Sequence, residues 1–185
     1  MDIRTAAESL NPVKAGGMAT YLIASVACGL TAVRTVNPRI TRLAVVLGLI
    51  QAVLLLDIAF DWRWRLYDWL RSQAEAHHWY EQRHWPQIVV LVTLAAALVA
   101  GMAAARRRFR SLPGAALAVE GSLLSIGCWM MEVISLHATD SILYHHVGLL
   151  MIISFVWLLT CAMTIAGILK AGFGRAQTAG PAGVV

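Results

Sequence analysis

Five apolar stretches, each long enough to cross a bilayer, constrain this chain more than anything else in it. They cover about 17–33, 43–60, 88–105, 115–136 and 147–169. A helix rising 1.5 Å per residue needs roughly 17 to 25 apolar residues to cross the hydrocarbon layer. Backbone polar groups in lipid must pair within the protein, so segments of this length read as helices. The expected fold is an all-α integral membrane protein, a bundle of five transmembrane helices. Composition agrees: 59% of the 185 residues are hydrophobic and 14% are charged. Soluble domains are closer to half apolar and about a quarter charged. The connections leave no room for a second soluble domain. One bundle domain is expected over 1–170, with a flexible Gly/Ala/Pro-rich tail over 171–185.

Charge sorts the connections into two kinds. One kind holds Arg34, Arg39 and Arg42, then Arg106, Arg107, Arg108 and Arg110, then Lys170 and Arg175, with no loop acid. The other kind mixes Arg63, Arg65, Arg71 and Arg83 with acids and holds all six histidines. Lysine and arginine near span ends mark the cytoplasmic side. The N-terminus is therefore expected outside and the C-terminus in the cytoplasm. The alanine-rich composition points to a bacterial inner membrane. Lys14 and the run to Val33 have a faint signal-peptide character. Cleavage before Cys28 would leave Arg34, Arg39 and Arg42 outside, against the charge sorting, so the first stretch reads as an uncleaved helix.

The net charge of +5 does not indicate nucleic acid. The basic residues are short clusters at span ends, where anionic headgroups lie, rather than a stripe on a soluble face. Cys28, Cys128 and Cys161 all lie inside apolar stretches and read as small buried residues rather than a disulfide framework.

Between the second and third stretches, helical spacing continues. Trp62, Leu66, Trp69 and Leu70 share one face, and Arg71 pairs with Glu75 at four residues. Trp62, Trp64, Trp69, Trp79 and Trp85 crowd the same segment, and tryptophan favours the headgroup layer. An amphipathic, tryptophan-rich helix is expected on the extracytoplasmic face, with Trp62, Leu66, Trp69 and Leu70 inward and Asp68, Arg71 and Glu75 in water. Small residues at four-residue spacing, Ala97, Gly101 and Ala105, then Gly121 and Ser125, suit close helix packing in lipid.

Three acids fall within or near spans, where charge costs about 2.5 to 3.5 kcal/mol and usually has a partner or a role. Glu120 is expected to pair with the Arg106–Arg110 cluster. Asp57 and Glu132 lie at matching depth, roughly 6 to 8 Å inside the outer face, on helices running the same way. With His137 and His146 they form the candidate metal set Asp57, Glu132, His137 and His146. Carboxylates with imidazoles suit a divalent ion, and Cys128 with Met130 or Met131 raises copper. Arg63 or Arg65 pairing with the two acids is the competing structural reading. HExxH and CxxC do not occur, and no two of the apolar spans carry a paired ExxH.

Two function classes follow. The first is a non-catalytic accessory or assembly subunit that meets the bilayer and either a membrane protein partner or a second copy of itself. The second is a small-ligand protein, either a metal-dependent membrane enzyme or a proton- or quinone-handling module, built on the outer Asp/Glu/His cluster.

Overall fold

Asn37 and Pro38 make the first turn. The Asn37 side chain accepts a hydrogen bond from the Arg39 N–H at 3.0 Å, and Pro38 occupies the first helical position. Proline there sacrifices no helical donor and cannot extend the preceding helix. The turn joins α1 (Pro12–Arg34) to α2 (Pro38–Phe60). A short third helix follows, α3 (Trp62–Ala76), then α4 (His84–Arg108) and α5 (Pro113–Ile134). A two-stranded antiparallel hairpin, β1 (His146–Val147) and β2 (Leu150–Met151), leads directly into α6 (Ile152–Phe173). The computed structural model describes residues 12–78, 84–134, 142–148 and 150–173.

Five of these helices, α1, α2, α4, α5 and α6, are long and apolar enough to cross a membrane. α1 lies between α2 and α6, and α5 packs on the other side of α6. A narrower contact between α2 and α5 closes the ring of four. α4 packs against α5, outside that ring, and its one buried residue is Ala105.

The α5–α6 seam is the tightest. A Cβ at Gly121 would stand 2.6 Å from the Thr160 carbonyl oxygen and from Thr164 Oγ1. One at Gly114 would stand 2.7 Å from the Gly167 carbonyl oxygen. Glycine lets the two backbones meet there, which is how helices gain packing contacts in lipid. Hydroxyls line the same seam. Ser125 Oγ donates to Thr160 Oγ1 at 2.9 Å, and Ser122 pairs with Thr164 at 3.3 Å. Gln51 of α2 joins from across the ring, donating to Ser122 Oγ at 3.1 Å. Cys28, Cys128 and Cys161 are free and buried in this interior. Gly121 and Ser125 thus serve packing as expected. On α4, Gly101 and Ala105 face α5, while Ala97 is exposed.

Two expectations need correction. The last span does not begin at Val147. Gly148, at φ 67°, turns the chain back, and the helix starts at Ile152 and continues through Phe173. An apolar run cannot by itself distinguish a short hairpin from a first helical turn. The continuation also places residues 171–173 in the helix rather than in a tail. The second correction concerns α3. Its side packed on the bundle is Arg63 and Ala74, with Tyr67 half-buried between them. Trp62, Leu66, Trp69 and Leu70 remain exposed, although Trp62 and Leu66 border an apolar groove between α2 and α5. That face suits lipid contact, whereas the bundle takes the neighbouring face because Arg63 is drawn to buried acids.

Candidate functional site

The charged site forms where α2 gives way to α3. Asp57 lies one turn before the end of α2. Asp61 then adopts a left-handed conformation, φ 55° and ψ 36°, while its N–H still bonds the Asp57 carbonyl. This single residue ends one helix and starts the next in a new direction. Its carboxylate lies 2.6 Å from Lys14 Nζ of α1, tying the turn to the neighbouring helix. With Asp61 so engaged, the N-terminal donors of α3 need another acceptor. Asp57 supplies it: Oδ1 accepts the Arg63 backbone N–H at 2.9 Å.

The Arg63 side chain then turns inward. Nε lies 2.8 Å from Asp57 Oδ2, an ionic approach without aligned hydrogen-bond geometry. Nη1 donates to Glu132 Oε2 on α5. The guanidinium carbon lies 5.4 Å from the Trp157 ring centre on α6, within cation–π reach. Asp57, Arg63 and Glu132 are 2%, 6% and 4% exposed, so one buried guanidinium bridges two buried carboxylates. Burial works against the Arg63 charge, but Glu132 and Asp57 outweigh it and hold its pKa above the ordinary value. The bridge therefore stays cationic at any physiological pH.

Glu132 gathers further donors. Trp157 Nε1 donates to Oε1 at 3.3 Å, Tyr144 Oη to Oε2 at 3.5 Å, and Cys128 Sγ to Oε1 at 3.9 Å. A cavity of about 250 Å³ opens beside this cluster, lined by residues that include Lys14, Asp61, Arg63, Glu132, Tyr144 and Trp157. No family model, curated protein or solved structure matches the chain. The site must therefore be read from its own geometry.

Of the four candidate metal residues, Asp57 and Glu132 meet through Arg63. His146 is exposed on β1, and it is not among the residues lining the cavity beside Glu132. His137, like Asp140, falls outside the described residues. Among the described residues no group of three His, Cys, Asp or Glu side chains is placed to hold a metal ion. The copper candidates diverge. Met130 faces a cleft beneath α3, while Met131 packs into the core with Cys128. Glu120 sits near the other end of α5, where Arg106 grips it with Nε–Oε1 at 2.6 Å and Nη2–Oε2 at 3.3 Å.

Sequence reasoning left Arg63 and Arg65 open as the partner of the two acids, and Arg63 is the one that bridges them. On an unbroken helix, residue 63 would stand six positions from Asp57, well off its face. The left-handed turn at Asp61 resets the phase and brings Arg63 round. Lys14, Tyr144 and Trp157 were missed. Trp157 left one faint signal: a tryptophan inside a span carries an N–H donor that needs an acceptor.

Proposed function

We propose that the chain is a non-catalytic accessory or assembly subunit of a membrane complex. Its setting in this reading is a bacterial inner membrane, N-terminus outside and C-terminus in the cytoplasm. One observation carries the reading. Both buried carboxylates at the α3 end are engaged by Arg63, which fastens a tryptophan-bearing helix across the bundle. Charges used this way do the work of a clasp. The clasp holds α3 at the interface, where its exposed Trp62 and Trp69 are presented outward. α4, packed chiefly against α5 among the described residues, offers its remaining faces beside it.

A photo-cross-linking amino acid at positions 69, 92 and 99, compared with exposed positions 45 and 56 on α2 that line none of these grooves, tests this in native membranes. The expected result is one protein adduct of defined mass from the α3 and α4 positions, and lipid adducts alone from α2. The reading fails if no position yields a protein adduct. It also fails if purified protein carries stoichiometric metal that disappears in Asp57→Ala or Glu132→Ala. That outcome would favour a metal-dependent enzyme. A second reading, a small-ligand or proton-handling module, draws on the cavity that opens onto Glu132 and Tyr144.

A further inference from the structure

The opposite end of the bundle carries a different kind of cavity. About 410 Å³ of space lies among the end of α4, the turn after it, the first turns of α5 and the last turn of α6. Liquid water occupies roughly 30 Å³ per molecule, so the space suits a polar group much larger than a single ion. Arg106, Arg110 and Lys170 line it, together with the single carboxylate Glu120. Arg106 takes both oxygens of that carboxylate. Arg110 and Lys170 have no ion-pair partner among the described residues. Three cations against one acid leave a local charge of +2.

Two further features select among anions. α5 begins at this cavity, with Pro113 and Gly114 in its wall, so the positive end of a 22-residue helix adds to the field. Phe109, Ala116 and Leu117 supply an apolar wall beside the cations. The cavity also sits where spans end, at the level of lipid headgroups. A free anion would have no use for the apolar wall, whereas a lipid presents a phosphate joined to a hydrocarbon body. Basic pockets between membrane helices hold acidic headgroups on the same physical grounds.

We propose that this cavity is a specific site for an anionic phospholipid, its phosphate held by Arg110 and Lys170 and its apolar part set against Phe109 and Leu117. Arg107 and Arg108 provide an internal control. They belong to the same basic cluster but line the neighbouring groove of α4 and α5, which shares only Phe109 with this cavity.

The test is native mass spectrometry of the full chain in mild detergent, titrated with phosphatidylglycerol or phosphatidylethanolamine. The parent protein should retain one phosphatidylglycerol per chain in at least tenfold preference. Arg110→Gln with Lys170→Gln should weaken retention roughly thirtyfold, from about fivefold per basic residue at a membrane surface. Arg107→Gln with Arg108→Gln removes the same charge and should leave retention within threefold of the parent. Arg110→Lys with Lys170→Arg should preserve it. Equal losses in the two glutamine pairs would mean general surface attraction and would overturn the site. So would a loss in the charge-preserving pair as large as in Arg110→Gln with Lys170→Gln. Displacement of the lipid by millimolar inorganic phosphate would identify a free-anion site and overturn the lipid assignment.

Discussion

Replacing Arg63 with methionine tests the clasp directly. The substitution keeps an unbranched apolar stem and removes the charge. It leaves Asp57 and Glu132, 2% and 4% exposed, without their shared cation. Breaking a buried ion pair from one side costs about 3–5 kcal/mol. Two carboxylates lose their partner here, but each keeps other donors. Glu132 retains Trp157, Tyr144 and Cys128, and Asp57 retains the backbone N–H of residue 63. Lost cation–π contact with Trp157 adds about 0.5–2 kcal/mol. The loss should therefore stay near 3–5 kcal/mol, roughly two to three and a half decades in the unfolding equilibrium. Reversible unfolding in mixed micelles of mild detergent and dodecyl sulfate, followed by fluorescence of the seven tryptophans, measures it. The triple variant Asp57→Asn, Arg63→Met, Glu132→Gln removes every charge of the clasp and should recover most of the loss, ending within about 2 kcal/mol of the parent. A stability change below about 0.5 kcal/mol for Arg63→Met, the level of an ordinary surface substitution, would refute the reasoning. So would a triple variant less stable than the single one.

The α5–α6 seam should tolerate no added methyl: Gly121→Ala should cost about 1–3 kcal/mol by overpacking, while a Cβ at Gly16 meets nothing within 4 Å, so Gly16→Ala should be neutral or slightly stabilising in the same assay. Spin labels along α3 should show oxygen-accessibility maxima at 62, 66 and 69 and water-accessibility maxima at 68, 72 and 75, a period near 3.6 residues; uniform water exposure would contradict an interfacial helix. Single cysteines at 75 and 110 test the charge sorting. An impermeant reagent on intact cells should label position 75 and spare 110, and the reverse pattern would invert the orientation.

Much of the fold was legible because the bilayer imposes a length. The second span ends at Phe60 in both readings, and the break before Pro38 follows from proline chemistry. Glu120 was legible too, since an acid near a span end close to several arginines has an obvious partner. The inner site was less so. Matching depth brought Asp57 and Glu132 together correctly, but their bridge depends on one backbone conformation at Asp61. Helical phase counted through that residue points Arg63 the wrong way. Gly148 hid the hairpin before α6 in a similar manner, because it interrupts an apolar run without adding a charge.

The position of Arg63 bears on how the chain enters the membrane. Synthesis proceeds at roughly 5–20 residues per second. Arg63 follows Asp57 by six residues, so the first acid's counter-ion is synthesised within about a second of it. Glu132 follows Arg63 by 69 residues, roughly 3–14 seconds later. The first acid and its cation are therefore both in the chain, six residues apart, before the helix that carries the second acid exists.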